Sequence, residues 1–248
     1  MMLPLVNVFS NVYIKKSYRD RTDDECLEFL KNNENISTTV ADKVKECIWF
    51  AKEAADYICR VGIDDELDTF IEQELKKNIN YAKMIWSMPP KTPSVLLNYK
   101  TSSNNVDLLE VDREIDIHGK YLSNGQYLFH GGNWDSFIDV LENTSRPLST
   151  SFCPQIALRN AEWGGKAYHA GKVDLLVLKV TNPKTKAFVY NNKISKAIEK
   201  EVLFSSGAKL LLKKKETMKY HHYVGASDGS WGTLEKIVPY SLIEVDIS

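Results

Sequence analysis

Two glutamates, Glu199 and Glu201, stand one residue apart directly ahead of the apolar run Val202-Leu203-Phe204. On a strand, residues at i and i+2 share a face, so both carboxylates would lie together with Lys200 opposite. Paired carboxylates repel, one tends to hold its proton, and an acid–base division of labour becomes available. The same Glu-Lys-Glu would also serve as a solvated strand start. Two other groups offer chemistry. Ser149-Thr150-Ser151 is a compact hydroxyl cluster, able to orient a carboxylate or to cap a helix opening near Pro154. His130 ends the strand-like run Tyr127-Leu128-Phe129 and is followed by Gly131-Gly132. It can donate a hydrogen bond to a ligand hydroxyl or phosphate, and glycines there let a backbone come close to that ligand. Taken singly, each group also fits an ordinary turn or strand end.

The elements that must hold these groups change character near Pro89-Pro90. Before it the spacing predicts helices. Thr22 and Glu25 form a capping box. Val40, Val44, Cys47, Ile48, Ala51, Ala55 and Ile58 recur at three- and four-residue steps, ending at Gly62. Asp64 caps a further series from Leu67 to Trp86. After Pro93, short runs predict strands: VLLNYK, QYLFHG, VDLLVLKV, KAFVYN, EVLFSS, KLLLKKK and SLIEVDI. Helices are expected between Trp134 and Asn143 and from Pro154 to Trp163. A helical region over residues 1–90 followed by a sheet-rich domain over 91–248 is an α+β arrangement.

Composition narrows the classes. The 248 residues are 43% apolar and 26% charged, with a formal net charge of −1, as in ordinary globular proteins. That charge leaves no electrostatic footprint of a general nucleic-acid or membrane binder. No apolar run nears the ~20 residues that cross a bilayer. The N-terminus runs apolar and then basic, the reverse of a secretory signal, so a cytoplasmic protein without a membrane partner is expected. The four cysteines form no CxxC and no metal spacing. Cys47 and Cys59 are expected as buried reduced thiols, and no metal is expected.

The order of the three motifs carries more than any one of them. An aromatic-His-Gly-Gly, then Leu148-Ser149-Thr150-Ser151-Phe152, then Glu199-Lys200-Glu201-Val202-Leu203-Phe204 resembles the mono-ADP-ribosyltransferase family. The resemblance covers roughly residues 95 to 248. One position departs from it. The branch with the Ser-Thr-Ser and Glu-x-Glu motifs usually has arginine where this chain has His130, and histidine there resembles the branch of diphtheria toxin and the poly-ADP-ribose polymerases.

The resemblance implies a core of two packed, mainly antiparallel sheets around an NAD cleft. It implies cleavage of the nicotinamide–ribose bond of NAD, the co-substrate, and transfer of ADP-ribose to a macromolecule by a toxin or effector. Glu201 would stabilise the positive charge that spreads over the ribose. Ser149 would orient it, with Thr150 and Ser151 supporting the strand end. His130 and Gly131 would hold the adenosine ribose or the diphosphate. Residues 161–169 resemble the phosphate–nicotinamide loop, where Trp163 or Tyr168 would stack on nicotinamide. A glutamate at position 199 implies a protein arginine as acceptor, because a guanidinium (pKa above ~12) must be oriented and deprotonated to react. A nucleic-acid base is the runner-up acceptor, with Lys209, Lys213, Lys214, Lys215 and Lys219 as a basic surface. Water as acceptor would make the protein an NAD glycohydrolase, and loss of catalysis would leave a binding module on a dead ADP-ribosyltransferase-like fold. A toxin-like member implies an inhibitory antitoxin or a delivery partner, and delivery into another cell's cytoplasm.

Overall fold

A computed structural model of the chain describes residues 2–32, 37–101, 106–134, 141–191, 200–229 and 232–248. Strands β1 (Tyr13–Asp20) and β2 (Thr39–Ile48) pair antiparallel and bracket helix α1 (Asp23–Asn32). The capping box at α1 is reciprocal: Thr22 Oγ1 accepts from the Glu25 amide, and Glu25 Oε2 accepts from the Thr22 amide. Four helices follow: α2 (Ala51–Val61), α3 (Asp65–Lys77), α4 (Ile79–Trp86) and α5 (Ser94–Thr101). Asp64 caps α3 as its spacing predicts, and Asn78 ends α3 and caps α4.

Two expectations are corrected here. The helix read across 40–58 begins only at Ala51; residues 39–48 are a strand. Of its apolar positions Ile48 is buried, whereas Val44 and Cys47 are exposed. The three- and four-residue spacing there marks no buried helical face, and pairing with β1 sets the conformation. Cys47 is therefore no buried thiol, whereas Cys59 is. The VLLNYK run, read as a strand, is α5, with Leu96 and Tyr99 buried one helical turn apart. A short apolar run does not reveal its period, and here the turn-by-turn burial against the core decides.

The C-terminal elements are α6 (Leu108–His118), β3 (Tyr127–Gly132), β4 (Leu141–Asn143), β5 (Leu148–Ser151), α7 (Pro154–Glu162), α8 (Lys166–Ala170), β6 (Val173–Val180), β7 (Ala187–Val189), β8 (Glu201–Phe204), β9 (Lys209–Ser227) and β10 (Thr233–Ile247). Residues 135–140, where most of the helix expected after Trp134 falls, lie outside the described residues; 141–143 are a strand. The eight strands run in the order β4-β9-β10-β6-β3-β5-β8-β7. Of the described pairs only β10–β6 is parallel, so the α+β, mainly antiparallel architecture holds. Strands β3 and β5 meet at a single position, Phe129 opposite Ser151. The two expected sheets are thus two arms of one hydrogen-bonded sheet, joined at a narrow seam.

One core serves the described chain. Leu3, Val8, Ile58 and Ile71 are buried in the same cluster as Phe129, Val177, Leu203 and Ile243. The N-terminal residues are tied to the sheet-rich half by backbone: the Leu3 amide donates to the Tyr121 carbonyl, and Gln126 exchanges two hydrogen bonds with Val6. The Asp64 amide donates to Gln155 of α7. The change of character at Pro89-Pro90 marks no break in the core.

Candidate active site

The seam between the two arms opens as a cleft of about 550 Å³. Strands β5 and β8 form one wall. Their register sets Ser151 opposite Glu201 and Ser149 opposite Leu203, so Ser149 and Glu201 are diagonal neighbours on one face. The Ser149 hydroxyl donates to Glu201 Oε1 at 2.6 Å. Glu201 is only 6% exposed and lines the cleft. Lys100, from the last turn of α5, places Nζ 3.0 Å from Glu201 Oε2. The same ammonium lies 4.9 Å from the Tyr190 ring centroid. A buried carboxylate needs such a partner, because desolvation otherwise drives it to protonate.

Thr150 and Ser151 hold the wall together. Thr150 Oγ1 donates to the Val202 carbonyl across the pair at 2.7 Å, and Ser151 Oγ accepts from the Cys153 amide at 3.0 Å, fixing the turn into α7.

His130 lies at the seam, one residue past the last β3–β5 pair. Its Nδ1 donates to the Ser149 carbonyl at 2.6 Å, so the ring bridges the gap that the ladder leaves. Burial pulls the imidazole below its ordinary value; the Ser149 carbonyl opposes this and the Lys166 charge adds to it. The ring is then neutral at pH 7, with Nε2 as an acceptor. Gly131 lines the cleft, and its missing side chain makes room for α7: a Cβ there would stand 1.7 Å from the Ala157 carbonyl oxygen. The loop after β3 is pinned by the buried Asp174, which accepts from the Trp134 amide at 2.8 Å.

Arg146 and Lys166 also line the cleft, and both are exposed. The Arg146 guanidinium sits near Tyr99, whose hydroxyl donates to the Pro147 carbonyl. Together with Lys100 they make the cleft cationic. Sequence reasoning missed Lys100 and Arg146. For Lys100 the one signal was Pro93 ahead of a run with apolar residues three apart, which reads as a helix start.

Two candidates are not brought to this cleft. Trp163 is 72% exposed and lines a separate cavity between α7 and the β9–β10 hairpin. Tyr168 packs against the core, with Lys236 Nζ 5.6 Å from its ring centroid. Glu199 lies outside the described residues. The basic stretch of β9 is partly neutralised: Lys214 pairs with Glu216, Lys215 turns toward Asp174, and His222 bonds Glu162 of α7. Among the described residues no group of three or more His, Cys, Asp or Glu could hold a metal ion. Among the same residues no helix is long and apolar enough to cross a membrane.

The arrangement can hold an anionic ligand by its cations and present to it one carboxylate whose direction a hydroxyl fixes.

No protein-family model matches the chain, and no curated protein sequence matches it. Among solved structures, it is similar to the ADP-ribosyltransferase Vis from Vibrio splendidus in complex with agmatine, at 15% identity and TM-score 0.38 over 79% of this chain and 73% of that one. It is similar to the ADP-ribosylating toxin BECa of a binary enterotoxin of C. perfringens, with NADH, at 12% identity and TM-score 0.43 over 75% of this chain and 50% of that one. A third is C3stau2 from S. aureus with NAD, at 13% identity and TM-score 0.37 over 64% of this chain and 88% of that one. Likeness at this level says nothing of reaction or target.

Proposed function

We propose that the protein is an NAD-dependent mono-ADP-ribosyltransferase of the toxin or effector type, with protein arginine as the acceptor. The observation that carries the reading is the 2.6 Å hydrogen bond from Ser149 to the buried Glu201 inside a cationic cleft, between two motifs 52 positions apart in the chain. The cleft fits NAD in chemistry. Arg146 and Lys166 suit its diphosphate, a planar fork and a point charge respectively. His130, neutral and with Nδ1 committed, suits a ribose hydroxyl through Nε2 and adds no positive charge for the diphosphate.

In the reaction, nicotinamide leaves with the bonding electrons, the acceptor's lone pair forms the new bond to the ribose carbon, and the acceptor gives up a proton. Glu201 stabilises the positive charge that develops on the ribose, and Ser149 holds its carboxylate in place for that purpose. Lys100 pairs with the carboxylate at 3.0 Å before substrate arrives. The role of Glu199 rests on its spacing from Glu201: as the first acid of the pair it would orient the acceptor guanidinium and take its proton.

The test is nicotinamide release from NAD, with transfer to a small guanidine compound measured in parallel. Glu201→Gln should lower both rates by about 10²–10³-fold, the usual effect of losing one electrostatic contact to a transition state. Glu199→Gln should abolish transfer to the guanidine and leave nicotinamide release intact. Wild-type rates in Glu201→Gln would rule the reading out; equal losses of release and transfer in Glu199→Gln would rule out arginine as the acceptor.

A further inference from the structure

Lys200, between the two acids, is expected on the strand face opposite Glu201. Its side chain is among the most buried charged groups of the described residues, only 2% exposed. Nζ lies 2.9 Å from Oδ1 of Asp68, a residue of helix α3 in the N-terminal half. The same carboxylate oxygen accepts from the Cys153 thiol at 3.1 Å. Burial pushes that thiol up to about 12, so it is a hydrogen-bond donor and no nucleophile. The Lys200 backbone has φ +48°, in the left-handed region that a long side chain rarely occupies. Such a conformation persists where the surroundings over-determine it.

The contacts close a circuit around the reactive pair. Asp68 grips Lys200, and Lys200 leads directly into Glu201. The Lys200 carbonyl accepts from the Phe152 amide at 3.2 Å, extending the β5–β8 ladder past Ser151 and Glu201. Ser151 bonds the Cys153 amide, and the Cys153 thiol returns to Asp68. One carboxylate from α3 thus holds both strands that carry Ser149 and Glu201, one at its entry and one at its exit. A salt bridge that only joined two halves of the molecule would require no unusual backbone at the residue beside the carboxylate. A buried ion pair and a left-handed lysine both cost free energy, and both fall at that residue.

We infer that Asp68, acting through Lys200, is a positioning residue for Glu201: it sets the strand entry so that the carboxylate meets the Ser149 hydroxyl. This rests on the reading of Glu201 as the reactive group. The N-terminal helices are then part of the catalytic apparatus as well as of the core.

The experiment uses the full chain and two readouts, nicotinamide release and the crystal structure. Asp68→Asn keeps the shape and removes the charge. It should lower kcat by about tenfold to a hundredfold with KM for NAD unchanged, the size of effect that a small misplacement produces. Lys200→Met should do the same, and the double variant should lose no more than either single one. If Asp68→Asn fails to fold, Asp68→Ala/Lys200→Gly removes the buried ion pair altogether and gives the strand entry a residue free at positive φ. That variant should fold and keep KM, yet show low kcat and a Ser149 Oγ–Glu201 Oε1 distance beyond hydrogen-bond range in its crystal structure. A hydrogen bond still at its present length, or a wild-type kcat, would overturn the inference. Losses that multiply in the double variant would also overturn it. If the wild-type chain releases no nicotinamide, the proposed function falls, and the Ser149–Glu201 distance alone then decides the role of Asp68.

Discussion

His130 has one ring nitrogen committed to the Ser149 carbonyl and the other free, and that decides what it can do. The sequence allows a ligand-binding histidine of either charge. Burial selects the neutral form by holding the imidazole below its ordinary pKa of about 6.5. The unfolded chain then takes up a proton more readily than the folded one. Stability from this group is complete above about pH 6.5 and drains away as pH falls through the folded value. Thermal melts of the wild type and His130→Gln, taken from about pH 8 down to about pH 5, should show a gap in Tm that narrows toward acid. A gap that does not change with pH would contradict the neutral imidazole. The Ser149–Glu201 pair was legible in the sequence only through the family resemblance that the order of the three motifs carries. Lys100 was not, because its approach to Glu201 depends on α5 being a helix and on where α5 docks.

At the scale of elements, β3 and α7 show a sequence signal read correctly in kind and incompletely in cause. Gly131-Gly132 marks a place where backbone must come close to something, and at Gly131 that something is the Ala157 carbonyl of α7. Backbone cannot give way as a flexible side chain can. Gly131→Ala should therefore destabilise the protein by about 1–3 kcal/mol, the usual cost of overpacking. Urea unfolding would measure it, and a wild-type midpoint would show that α7 can move aside. The two misread elements share one cause. In 40–48 and in VLLNYK the apolar pattern is too short to show its period, and the partner that sets it lies elsewhere: β1 for the first, the core beneath Leu96 and Tyr99 for the second.

For the whole molecule, one buried cluster spans both sides of Pro89-Pro90. Leu3, Val8, Ile58 and Ile71 are buried in one cluster with the sheet-rich half, and α2 packs on α7, β6, β9 and β10, so residues 91–248 alone would expose the apolar face that α2 covers. That fragment should give no cooperative thermal transition and no nicotinamide release, whereas the full chain gives both. A fragment that melts cooperatively would show that the catalytic half is an independent domain. The expectation of a separate helical region followed from a change in composition, which reports local structure and says nothing of which faces meet.

The sequence by itself determined the α+β class, the sheet-rich C-terminal half, the helix caps at Thr22 and Asp64, and the pairing of Ser149 with Glu201. The first three follow from residues a few positions apart and from alternation along single strands, and the last is what the resemblance carried by the order of the motifs implies. Only the tertiary structure decided that Lys100 faces Glu201, that His130 is neutral, that Trp163 lies away from the cleft, and that Asp68 reaches Lys200 across 132 positions. Those are meetings between surfaces of different elements. The topology that brings them together is set by burial summed over the whole core, and no local pattern encodes it.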